Sequence, residues 1–228
     1  MNILSQNAKM KKSSQNGIDL YNFGIPAFMS QDGTKTCPNA KQCAVGCYAR
    51  SGTYRFGNVV NAYEKRLELT QSVEFVDIMI AEIRSKMIQS KMKGRQCVIR
   101  IHDSGDFYSK EYAIKWLYVI EALPECKFYA YTKMVSMFET FKQQGFHFEN
   151  FRLIYSLGGS EDSQIDTESH FHSKVFQSET ALIEAGYSDA SQDDTVAAIG
   201  PCKKIGLVYH GSKNYAKTAW SKIGRAHV

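Results

Sequence analysis

β-rich runs and stretches of helical period alternate along this chain, and that alternation limits its fold more than any other feature. The run Gln96–His102, with Cys97-Val98-Ile99-Arg100-Ile101 at its centre, leads through the turn Asp103-Ser104-Gly105-Asp106 to a helix capped by Ser109. There Tyr112, Ala113, Trp116, Leu117 and Ile120 recur at three- and four-residue intervals as far as Leu123, and Pro124 ends the pattern. Lys127–Thr132 and Phe151–Ser156 read as further strands, with a helix over Ser136–Gln144 between them, stopped by Gly145. Upstream, Asp19–Phe28 reads as a first strand with Pro26 near its end, and helices are expected over Asn58–Ser72 and Val73–Met92. Downstream, 160–195 is polar and mixed, with one helix around Ser178–Ala185, and Val196–Ile199 and Ile205–Tyr209 read as two short strands. This order implies an α/β fold in which helical crossovers join parallel strands.

Ligand-binding groups in such sheets collect at the carboxyl ends of the strands. Three polar clusters occupy that position here: His102 to Asp106, Tyr131-Thr132-Lys133, and Ser156-Leu157-Gly158-Gly159. A fourth feature follows the first strand. Cys37, Cys43 and Cys47 fall within eleven residues, half of all the cysteine in the chain, in a segment punctuated by Pro38 and Gly46. Thiolates this close repel unless a cation, a cluster or a disulfide absorbs the charge. A structural zinc site uses four protein ligands, commonly as two close pairs, and a spacing of five residues then three does not supply them. Three thiolates can instead hold three irons of a [4Fe-4S] cubane and leave the fourth iron open. Zinc stays open as an alternative, with His102 or Cys202 completing the set. Cys202, after Gly200-Pro201, is either a fourth ligand or an incidental thiol in a turn. Cys97 and Cys126 read as small buried hydrophobes.

The other candidates have plain structural readings beside functional ones. Asp103 and Asp106 either cap their turn or serve a ligand, and as a carboxylate pair they could hold Mg²⁺ in a nuclease. Gly105 permits close approach of backbone to a ligand. Lys133 is an exposed lysine or a partner for a carboxylate or phosphate. Ser156 belongs to a glycine turn or to a polar binding site.

Composition narrows the setting. The chain has 228 residues, 43% of them hydrophobic, and a net charge of +5. No segment approaches the ~20 apolar residues of a membrane span. The polar N-terminus has no signal-like apolar stretch, so a cytoplasmic setting with reduced thiols is expected, with no membrane partner. Nucleic acid is a possible partner on charge alone, without a recognition motif. Residues 1–17 read as a loose polar lead-in and 18–221 as one α/β domain. Lys222–Val228 matches what one reading frame of a common sequencing adapter encodes, so these residues are expected to be non-native. Without Lys222 and Arg225 the net charge falls from +5 to +3.

Three motifs together, Cys37-x5-Cys43-x3-Cys47-Tyr48-Ala49, Arg100-Ile101-His102-Asp103-Ser104-Gly105-Asp106-Phe107 and Phe128-Tyr129-Ala130-Tyr131-Thr132-Lys133, resemble the phage-encoded gene product 88 family. The resemblance runs from about Asn22 to Tyr209 and implies a phage or prophage origin. More distantly, the layout is similar to the radical S-adenosylmethionine (SAM) superfamily, whose fold is a partial parallel (β/α) barrel. That likeness implies a [4Fe-4S] cluster on Cys37, Cys43 and Cys47. It also implies SAM contacts at Ser104, Gly105, Asp106 and Ser156, and a substrate of unknown identity near Asp103 and Lys133. The superfamily's usual cysteine spacing is three then two, and its usual acidic residue after the second strand is glutamate. A non-catalytic binding module stabilised by zinc or an iron–sulfur cluster is the alternative.

Overall fold

The computed structural model describes residues 3–14 and 17–210. The suspected non-native segment 222–228 lies outside the described residues. Seven strands form one sheet: β1 (Ile18–Phe23), β2 (Gln96–Ile101), β3 (Lys127–Thr132), β4 (Phe151–Ser156), β5 (His172–Phe176), β6 (Ser188–Asp189) and β7 (Lys204–Val208). Their spatial order is β1-β2-β3-β4-β5-β7-β6, and every pairing is parallel. The sheet curls into a half-barrel. The parallel α/β architecture expected from the alternation is therefore present.

The helices are α1 (Ala8–Ser13), α2 (Gln42–Val45), α3 (Gly57–Gln71), α4 (Phe75–Met92), α5 (Lys110–Glu121), α6 (Val135–Gln143), α7 (Glu179–Glu184) and α8 (Thr195–Ala198). The Ser109 hydroxyl caps α5 by accepting from the Tyr112 amide at 3.2 Å, and Ser178 caps α7 through the Ala181 amide at 3.2 Å. Among the described residues no helix is long and apolar enough to cross a membrane.

The two-residue period of the strands sorts side chains onto two faces. Outward-facing Phe23, Ile99, Ile101, Phe128 and Ala130 pack under the helices. Phe23, Phe75 and Trp116 meet edge to face there, with ring centroids 5.4–5.9 Å apart. Inward-facing Leu20, Val98, Tyr129 and Ile154 form a second core, closed by Met10 of α1 and Ala197 and Ala198 of α8. The same inner face carries Arg100 and Tyr131, each two residues beyond a core position, so the alternation that builds the core also delivers polar groups toward the carboxyl end.

Two expectations are corrected. Val196–Ile199 is not a strand. Thr195–Ala198 forms α8, with the Ala198 amide donating to the Asp194 carbonyl at 2.9 Å. Four apolar residues are too few for their period to separate helix from strand. The N-terminal segment is not loose throughout. The Asn7 side chain accepts from the Met10 amide at 2.9 Å to cap α1, and Met10 is fully buried. The polar stretch 160–195 also holds a strand, β5, bonded on both sides by β4 and β7.

Candidate functional site

The chain leaves β1 through Gly24 and Ile25 and folds back over the carboxyl end of the sheet. Thr36, fully buried, anchors the return: its hydroxyl donates to the Pro26 carbonyl at 2.6 Å, and its carbonyl accepts from the Asp106 amide at 2.9 Å. Phe28 adopts a left-handed backbone, φ 66°, which is rare for a bulky residue. In that conformation its amide donates to the Cys37 sulfur at 3.4 Å. Farther along, the Cys43 amide donates to the Gly158 carbonyl at 3.3 Å, Ala40 bridges Gly159, and the Asn39 side chain donates to the Lys133 carbonyl at 3.2 Å. The cysteine loop is thus tied to the ends of β2, β3 and β4.

One cavity of about 470 Å³ occupies this mouth. Cys37, Cys43 and Cys47 all line it, together with Asp106, Lys133 and Ser156. The volume lies within the ordinary range for small-ligand sites. Burial pushes the Cys37 thiol up to about 12, with the Asp106 charge and the other two thiols adding to the effect. Cys47 is pushed up to about 11 by burial and by Cys43, offset in part by Arg50 and Lys133. Cys37 and Cys47, whose thiols are pushed up in part by their cysteine neighbours, belong to a donor set that a cationic centre would relieve. Among the described residues no three His, Cys, Asp or Glu side chains close around a single metal ion. A cubane places each thiolate on a different iron, so it asks for sulfurs around a cavity rather than around a point. As a donor set, three free cysteines suit the chemistry of such a group. Cys202 is exposed and is not among the residues that line the cavity.

Asp106 is buried and already engaged. Its Oδ1 accepts from the Phe107 amide at 2.8 Å and the Thr132 hydroxyl at 2.6 Å, and its Oδ2 accepts from the Lys133 amide at 2.9 Å. Burial nonetheless holds its pKa above the ordinary carboxylate value. Asp106 therefore joins the ends of β2 and β3, with Oδ2 accepting one bond to the two at Oδ1. Lys133 is also buried, and its ammonium donates to the Ser156 hydroxyl at 2.7 Å and the Ser156 carbonyl at 3.1 Å. It contributes a positive charge held by neutral groups. Ser104 and Gly105 line the cavity wall. Gly105 has φ +83°, and a Cβ there would lie 2.2 Å from Ile25 Cγ1, so the turn requires glycine.

Asp103 also reaches the cavity, but its carboxylate accepts from Tyr54 Oη at 3.3 Å and from Tyr63 Oη at 3.0 and 3.2 Å. The Tyr48 hydroxyl donates to the Asp103 carbonyl. The two aspartates thus serve different partners. The tyrosines were not singled out in the sequence, although Tyr48 directly follows Cys47. Nor was the ion-pair group on the inner face, where Asp194 lies 2.9 Å from Lys9 and 3.5 Å from Arg100. Arg100, a charged residue inside an otherwise apolar strand, was the visible sign of it.

A family model described as Gene product 88 matches residues 1–223. Neither the curated proteins nor the solved structures include a significant match to the chain.

Proposed function

The chain belongs to the gene product 88 family, and from that premise we propose that it is a phage-encoded iron–sulfur protein with a radical-SAM-like activity at the mouth of its half-barrel. One observation carries this reading: a single loop after β1 delivers three cysteines into a cavity that also receives Asp106, Lys133 and Ser156 from the next three strand ends. When bound there, a [4Fe-4S] cluster would supply one electron to SAM.

The protein's own residues prepare that chemistry. Cys37, Cys43 and Cys47 would ligate iron, and the Phe28 amide donates to one of the three sulfurs. Such hydrogen bonds stabilise negative charge on sulfur and raise a cluster's potential. Lys133 places an ammonium beside the gathered thiolates. Ser156 orients that ammonium and still offers a hydroxyl to a polar ligand. Asp106 fixes the turn at Ser104 and Gly105 and thereby the wall against which a ligand would rest. Val175, Leu207 and the Tyr48 ring supply the apolar lining that limits water.

Anaerobic reconstitution with ferrous iron and sulfide tests the reading. About four irons and four sulfides per chain are expected, with a brown chromophore, and both are lost in the C37S/C43S/C47S variant. Reduction in the presence of SAM is expected to release 5′-deoxyadenosine. A colourless protein loaded with zinc would overturn the proposal in favour of a metal-stabilised binding module. A brown protein that leaves SAM intact would retain the cluster and remove the enzymatic half.

A further inference from the structure

The net charge of this protein is not spread evenly. The whole chain has 28 Lys and Arg against 23 Asp and Glu, but Thr34–Tyr63 contains Lys35, Lys41, Arg50 and Arg55 and no acidic residue, which leaves 24 against 23 elsewhere. All four of these cations are exposed. The flanking acids are engaged locally: Asp32 accepts from the Thr34 amide at 3.0 Å, and Glu64 accepts from the Gln31 amide at 2.9 Å. This basic segment is the one that holds the cysteines and frames the cavity.

The same segment exposes aromatic and apolar side chains. Phe56 is 59% exposed, Val45 48% and Tyr48 37%, while Met29, in the turn just before it, is 49% exposed. Of these, Tyr48 reaches the mouth. Tyr48 and Tyr54 line the cavity with rings edge to face at 5.8 Å, and Phe56 stands two residues beyond Tyr54. Arg50 lies over the Phe28 ring, 5.5 Å from its centroid. Cations interleaved with exposed rings make a surface that tracks a phosphate backbone while bases stack. An anionic bilayer would also meet the charge requirement, but the Tyr48 and Tyr54 rings line a concave mouth, which a single strand can enter and a bilayer surface cannot.

We infer that the rim over Thr34–Tyr63 binds single-stranded nucleic acid and presents a nucleotide to the cavity. This inference rests on the proposed function for the meaning of the cavity, but the binding step needs no cluster. Arg50 and Arg55 would contact phosphates, and Phe56 would stack on a base.

Fluorescence anisotropy with fluorescein-labelled dT20 tests it, on reconstituted protein whose iron content is measured in the same sample. Salt-sensitive binding is expected. R50E/R55E should weaken binding more than tenfold and flatten the slope of log K against log salt by roughly 1.4, about 0.7 for each phosphate left without its arginine. F56A should weaken binding about tenfold. Because Arg50 also donates to the Ala44 carbonyl at 3.1 Å, K41E/R55E serves as a second charge pair. R84E/K91E on α4 should bind as wild type does. The inference is overturned by no binding, by equal loss in R84E/K91E, or by equal affinity for the dT20·dA20 duplex with F56A silent. It is also overturned by binding to phosphatidylserine vesicles in place of dT20. Oligonucleotide binding without iron would retain this rim and remove the cluster, and iron without oligonucleotide binding would do the reverse.

Discussion

At the scale of single residues, the mouth of the half-barrel is organised by buried charge. Lys133 is the clearest case, a buried ammonium that donates to Ser156 and lines the cavity that the three cysteines also line. Lys133→Met keeps the chain's length and removes the charge. Iron retained per chain after gel filtration is expected to fall by half or more, while Lys133→Arg retains most of it. His102 gives a pH signature. Its ring exchanges a hydrogen bond with the Tyr112 hydroxyl at 2.8 Å, and burial, with Arg100 nearby, lowers its pKa to about 3. The unfolded state then binds the proton more readily between roughly pH 3 and 6.5, so stability falls as pH drops through that window and is flat above it. Urea midpoints measured from pH 8 to pH 4 should show this slope in wild type, and His102→Gln should flatten it. In the sequence His102 was noted as a member of the first polar cluster and as a possible zinc ligand. Nothing in the order of residues shows that its ring is enclosed.

At the scale of elements, the segments that leave β1 and β2 pass close together at Gly24 and Asp103. A Cβ at Gly24 would lie 2.1 Å from Asp103 Oδ1 and 2.5 Å from Tyr63 Cε1. Gly24→Ala must displace a carboxylate that two tyrosines hold, and a cost of about 1–3 kcal/mol is expected in urea unfolding. The boundaries of β3 and β4 were readable in full, because both runs are rich in β-branched and aromatic residues between clear turn signals. The strand β5 was not. His172-Ser173-Lys174-Val175-Phe176 has no alternation to read, and it is extended because β4 and β7 bond it from either side. The error at α8 has the same origin, a segment too short for its own pattern to decide.

At the scale of the whole molecule, the inner face is closed by contacts between residues far apart in the chain. Asp194, with a fully buried side chain, joins Lys9 near the N-terminus to Arg100 of β2, and the Asp194 amide donates to the Ser13 hydroxyl at 3.0 Å. Asp194→Ala would leave two cations facing each other without their carboxylate. A loss of about 3–5 kcal/mol is expected, with partial recovery in Asp194→Asn, measured by chemical denaturation of well-folded samples. If Asp194→Ala unfolds at the wild-type midpoint, these contacts do not hold the N-terminal segment to the half-barrel.

The sequence by itself determined the alternating order of strands and helices and the placement of three polar clusters and the cysteine loop at strand ends. These are local matters, set by the spacing of apolar residues and by turn chemistry within a few positions. Only the tertiary structure decided what each polar side chain does there. Asp106 spans two strands, Asp103 turns to Tyr54 and Tyr63, Cys202 stays away from the cavity, and Lys9 meets Asp194 across 185 positions of chain. Such pairings depend on the curl of the sheet, which brings separate strand ends around one cavity, and no pattern within a single segment encodes that distance.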